Sequence, residues 1–220
     1  MIQYCMKIVA AIGLCAVFTG CNPNKVQDID GNTYKTVTIG TQVWMAGDLK
    51  TTRYNDGTAI PLVTDFDTWA SLTTPAYSWY NNDDGNKEVF GALYNWYVVD
   101  TKKICPKGWH VPSNIEWETL QNFLGGYRFA GGELKLPGTV LWKSPNAGAT
   151  NSTGFSAVPA GFRSNNGSFN FIGVSSSWWS TAENGDTHAD FWVLYYKNAF
   201  MEKNVSEKRI GFCIRCLKDE

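Results

Sequence analysis

Apolar and polar positions along this chain follow two periods, and only one long stretch carries the helical one. From Ser113 to Gly126, Trp117, Leu120 and Leu124 fall at i, i+3 and i+7, one stripe of an amphipathic helix. Its ends are marked chemically. Ser113 and Glu116 have capping-box spacing, and Pro112 and Trp117 stand where an apolar pair fixes the chain's approach to the helix. Gly125-Gly126 tolerates positive φ where the helix must stop. The pattern predicts one main capped helix over 113–124 and a shorter one near Asp65 to Leu72, where Phe66 and Trp69 share a face.

The remainder reads as short strands and turns. Thr33–Ile39 alternates, and Gly40-Thr41 turns it into Gln42–Met45, a hairpin. Ala76–Tyr80 and then 155–160, 168–172, 176–180, 189–196 and 210–217 are expected strands. Phe90–Val99 is apolar enough to be buried in any conformation, whereas Gly131-Gly132 and Pro137-Gly138 are expected to break the chain. Stretches 50–64, 81–88 and 143–154 lack periodicity and exceed ordinary connections, which marks function or a loop-rich fold. No repeat or linker divides the chain. The expected class is α+β, with short antiparallel strands, one main helix and long loops.

Composition adds two constraints. A formal charge of −1 over 220 residues offers nothing to a polyanion, so no nucleic-acid partner is expected. Aromatics make up 15% of the chain, ten of them Trp, against 18% charged residues. That balance suits a rigid aromatic core and equally an aromatic-lined binding surface.

The N-terminal pattern is that of a targeting segment. Ile8–Phe18 is apolar but too short to span a bilayer, and Phe18-Thr19-Gly20-Cys21 has the form of a bacterial lipobox. Residues 1–20 are expected to be a lipoprotein signal peptide, with Met6-Lys7 the better-placed start. Acylated Cys21 would hold the protein to membrane lipid, and 21–27 would be a polar tether to a domain over 28–219. Asn22, in place of a retaining Asp, favours the outer membrane, on its periplasmic or extracellular face. In that oxidising setting Cys105, Cys213 and Cys216 should supply one disulfide and leave one thiol.

Candidate chemistry is sparse. Cys213 and Cys216 have C-x-x-C spacing, but they lie on the alternating stretch Phe212–Leu217, which points them to opposite faces. That disfavours a redox pair, and equally a zinc site with Cys105 and His110. No nucleophile motif accompanies His110 or His188; the first is expected as a hydrogen-bonded core residue, the second in a solvated turn. Asp28, Asp30, Asp83, Asp84 and Glu88 lack calcium-loop spacing and read as turn chemistry. No catalytic residue, metal or cofactor is expected. Trp178 and Trp179 are neighbours on one strand, so one is expected to face outward. Trp178, Trp179, Trp192, Tyr196 and Arg163 are therefore the candidate ligand contacts, beside loops 143–154 and 163–192.

CPKGWHVPSNIEW (105–117) resembles the signature of the Fibrobacter succinogenes major paralogous domain family, secreted and surface proteins of bacteria. DIDGNTYKTVTIGTQVWMAGDLKTTRYNDGTAIP (28–61), FGALYNWYVV (90–99), GFSAVPAGFR (154–163), SSWWSTAE (176–183) and GFCIRCLKD (211–219) extend the likeness in order. The resemblance implies a C-type-lectin-like α+β fold, related at a distance to formylglycine-generating enzymes, and no settled activity. The family pattern keeps Cys105 and the last cysteine, which implies a Cys105–Cys216 disulfide with Cys213 a free thiol. The function expected is a lipid-anchored binding module for a glycan or protein. Its rivals are a formylglycine-generating-like oxidoreductase and a structural, adhesive or diversified surface protein.

Overall fold

The computed structural model describes residues 24–220, so the signal segment and Cys21 lie outside the described residues. In chain order, Lys25–Gln27 (β1) pairs with Thr33–Ile39 (β2), which turns into Gln42–Met45 (β3). Phe66–Ala70 (α1), Tyr77–Ser78 (β4), Lys87–Phe90 (α2), Leu93–Tyr94 (β5) and Trp96–Asp100 (α3) follow. Trp109–His110 (β6) leads into the main helix, Asn114–Phe123 (α4), and then Ala130–Leu134 (α5). The last third holds Phe162–Arg163 (β7), Phe169–Asn170 (β8), Ser175–Asn184 (β9), His188–Tyr195 (β10), Met201–Glu207 (β11) and Leu217–Lys218 (β12). Among the described residues no helix is long and apolar enough to cross a membrane.

The strands form a five-stranded sheet in the order β1-β2-β3-β12-β6, a three-stranded sheet β11-β10-β9, and two short pairs. Strand β12 enters from the chain's far end, with Leu217 paired to Trp44 on one side and His110 on the other. Just before it, Gly211–Cys213 bridges to Arg163, Tyr94 and Trp178 and so knits the sheets together. This is the expected mixed α+β class.

Helix α4 forms as its caps predict. Ser113 Oγ accepts from the Glu116 amide at 3.4 Å, and Glu116 Oε2 accepts from the Ser113 amide at 2.7 Å. Trp117 and Leu120 are fully buried. The Trp117 ring lies 4.7 Å from that of Trp44 and stacks on Trp178 at 5.8 Å and Trp192 at 6.2 Å. The helix thus closes one of two cores, shared with Phe155, Leu194 and Cys213. The other core, on the opposite side of β9, holds Tyr94, Trp96, Trp179, Phe212 and Ile214.

Several expectations need correction. Gly131-Gly132 does not break the chain but lies inside α5, where a Cβ would meet the carbonyls of Phe200 at 2.4 Å and Gly148 at 2.5 Å. The glycines are required by close approach of backbone, not by a turn. Segment 155–160 forms no strand, only an isolated bridge from Ala157 to Lys135. Strand β11 is not among the expected strands: it has no apolar alternation, being a sheet edge with Lys203, Asn204 and Val205 exposed. Part of the presumed tether, Lys25–Gln27, pairs as a strand. The apolar run at 90–99 is buried apart from half-exposed Tyr97, but it divides into a short strand and a helix.

Candidate functional site

Cys105 and Cys216 are disulfide-bonded and Cys213 is a buried free thiol. The expected strand 210–217 forms only as isolated bridges at 211–213 and the two residues of β12, yet its side chains still alternate between the two cores. Cys213 faces the core under α4, and Ile214 and Cys216 face the other. Burial pushes the Cys213 thiol pKa well up, with the Asp48 carboxylate adding to it, which makes it a poor nucleophile.

The signature residues build a charged cluster rather than a core histidine. His110 is partly exposed, with Nε2 2.8 Å from Glu116 Oε1 and Nδ1 2.6 Å from Asp219 Oδ1. The Glu116 bond, aided by Asp219, raises its pKa to about 9 against the opposing effect of burial. Burial alone would raise Glu116, yet bonds from His110 and Ser113 overcome it and leave it near 2. An imidazolium held between two carboxylates has no free nitrogen with which to act as a base. The carboxylates likewise serve turns. Asp28 accepts from the Asp30 and Asn32 amides, Asn32 Nδ2 and the Tyr34 hydroxyl, while Asp30 accepts from Thr51, Thr52 and Arg53. Among the described residues no group of three or more His, Cys, Asp or Glu converges as a metal site.

The candidate ligand contacts are largely buried. Strand alternation does point Trp178 and Trp179 to opposite faces, but both faces are covered and both rings are 0% exposed. Trp178 meets Trp117 and Phe155, while Trp179 packs 4.7 Å from Phe212. Their indole N–H groups donate to Asp48 Oδ1 at 2.7 Å and Tyr94 O at 2.8 Å. Trp192 is buried against Trp117, and Tyr196 is half-buried against the same core. Arg163 is a structural cation. Its guanidinium lies 4.2 Å over Trp69 and donates to carbonyls of Val63, Thr64, Asp65 and Gly167. Loop 143–154 is likewise tied down. Lys135 Nζ donates to Ala147 O at 2.9 Å, Tyr195 O at 3.1 Å and Asn198 O at 2.8 Å.

A groove of about 510 Å³ opens on the face of β9 and β10 that carries Trp179. On the Trp179 face of β9 the next positions are Ser177 and Ser175, both buried and paired to Val193 and Tyr195, so small side chains floor the groove. Phe162, Phe191, Tyr195 and Phe212 line the groove with Phe171, while Asn165, Ser206, Glu207 and His188 supply polar groups. Phe171 is 50% exposed and sits at φ 65°, a region that bulky residues avoid. Three fixtures hold it there. Val174 and Ser175 amides both donate to its carbonyl, its ring stacks 5.4 Å from Phe162, and Gly161 lets the turn close. A Cβ on Gly161 would stand 2.3 Å from Asn170 O. The missed signal is Ser175 and Ser177, small residues on the same face of the strand as Trp179, four and two positions before it.

These features define a disulfide-bonded α+β domain with an open groove lined by four phenylalanines and Tyr195, and no assembled catalytic constellation among the described residues. The chain belongs to the Fibrobacter succinogenes major domain family, whose model matches residues 37–218. No curated protein and no solved structure matches the chain.

Proposed function

We propose that this domain is a binding module, held by acylated Cys21 at the outer membrane, and that the groove beside Phe171 is its ligand site. The carrying observation is Phe171 itself, an aromatic residue kept half in water and in a costly backbone conformation at the lip of an aromatic groove. Strain of this kind persists where the surroundings over-determine it, and it presents a ring that packing alone would bury. Short antiparallel strands, one main capped helix and long loops support the C-type-lectin-like reading of the fold.

Catalysis is the weaker reading. Oxidation of the formylglycine-generating kind needs a reactive cysteine pair, but Cys216 is bonded to Cys105 and Cys213 is buried with a raised pKa. The test is ligand capture by the full-length protein and by Val205→Arg, which places a bulky charge at a half-exposed groove position. Loss of binding with an unchanged melting temperature is expected; equal binding by both proteins defeats the groove assignment. Metabolic acyl labelling of Cys21→Ala checks the anchor, and unchanged labelling rules it out.

A further inference from the structure

The lining of the groove narrows the ligand, on the reading that the groove is the binding site. No Lys or Arg lines it, and its one carboxylate is Glu207. Glu207 Oε2 is already engaged by Arg209 Nε at 3.1 Å, and its Oε1 accepts from Asn165 Nδ2 at 3.0 Å. Anionic ligands are recognised by unspent cations and convergent N–H donors, so this charge pattern disfavours them.

The same bonds fix two planar polar groups side by side. Asn165 Oδ1 accepts from Ser164 Oγ at 3.2 Å, which sets the amide's orientation, and the adjacent Glu207 retains spare lone pairs. Beyond them lies a flat apolar surface, Phe171 stacked on Phe162 with 23° between the ring planes. A ligand matching both must be flat and apolar on one face and rich in neutral hydroxyls at its edge.

We propose that the groove binds neutral carbohydrate, with the C–H face of a pyranose laid on Phe171 and its hydroxyls bonded to Asn165 and Glu207. A rigid ring costs little ordering entropy on binding, and pre-fixed polar partners reduce the cost further.

The experiment presents full-length protein to an array of neutral glycans, anionic glycans and peptides. Bound species are then titrated against wild type, Phe171→Gly and Asn165→Ala. Glycine suits φ 65° better than phenylalanine does, so Phe171→Gly removes the ring while easing the backbone. Expected is binding of neutral glycans that weakens about tenfold or more in both variants, with melting temperatures close to wild type. If Phe171→Gly does not fold, Phe171→Asn carries the same comparison, since asparagine also tolerates this conformation. Binding confined to peptides or anionic glycans, yet lost with Phe171, overturns the carbohydrate assignment and keeps the groove. Binding that ignores both substitutions overturns the groove itself. An array on which no neutral glycan binds also overturns the proposal.

Discussion

Asp48 and Arg215 form an ion pair shut off from water, with Nη2 and Nε of the arginine 2.6 and 2.8 Å from one carboxylate oxygen. Trp178 donates to the same oxygen, and the guanidinium lies 4.1 Å over Phe155. The pair ties the segment after β3 to the segment before β12. Removing one partner strands a charge in the core. Arg215→Met should therefore cost about 3–5 kcal/mol, while Asp48→Leu with Arg215→Met should recover much of that loss. Urea denaturation of both variants beside the wild type measures it, and a double variant as unstable as the single one refutes the desolvation argument.

The disulfide closes a loop with a sequence separation of 111. Loop entropy assigns it about 4–5 kcal/mol, so Cys105→Ser with Cys216→Ser should lower the urea midpoint steeply. Peptide mapping of the native protein should show 105 linked to 216. Alkylation at Cys213 should appear only after denaturation, because that thiol is fully buried.

His110 and Glu116 give stability a pH window. A histidine raised from 6.5 to about 9 stabilises fully below 6.5 and loses that contribution as pH rises through about 9. Glu116, lowered from 4.5 to about 2, contributes above 4.5 and fades as pH falls toward 2. His110→Gln should therefore lower Tm most between these ordinary values and least in alkaline buffer. A deficit independent of pH would place the effect in packing rather than charge.

Trp178→Ala and Trp179→Ala should each cost about 3–5 kcal/mol, since both rings are fully buried. Phe171→Gly should stay within about 1 kcal/mol of wild type. Relief of roughly 1–2 kcal/mol of left-handed strain offsets the lost ring stacking. Calorimetric unfolding of the three variants distinguishes core aromatics from the presented one.

Gly131→Ala should destabilise the protein although alanine is the better helix former. Its Cβ would lie 2.4 Å from Phe200 O and 2.9 Å from Ala199 O. A gain near the intrinsic propensity difference of about 1 kcal/mol would show that the Phe200 segment yields freely.

The sequence by itself determined the elements whose chemistry acts over a few residues. Ser113 and Glu116 predict α4 because a capping box is local, and Gly40-Thr41 predicts the β2–β3 hairpin for the same reason. Parity along Phe212–Leu217 separates Cys213 from Cys216, and the family pattern pairs the latter with Cys105. Tertiary structure decided everything that depends on segments arriving from afar. Whether Trp179 faces water turns on Phe191 and Phe212, brought in on β10 and on the segment before β12. Position 131, inside a helix, must be glycine because the Phe200 carbonyl passes within reach of it. Phe171 is presented because Gly161 and the Val174 and Ser175 amides lock a backbone that its own side chain disfavours. Propensity and capping energies belong to a few neighbouring residues and are written in their order. Which faces are covered and which stay open is set by packing between residues far apart in the chain, and that is what leaves the groove open beside Phe171.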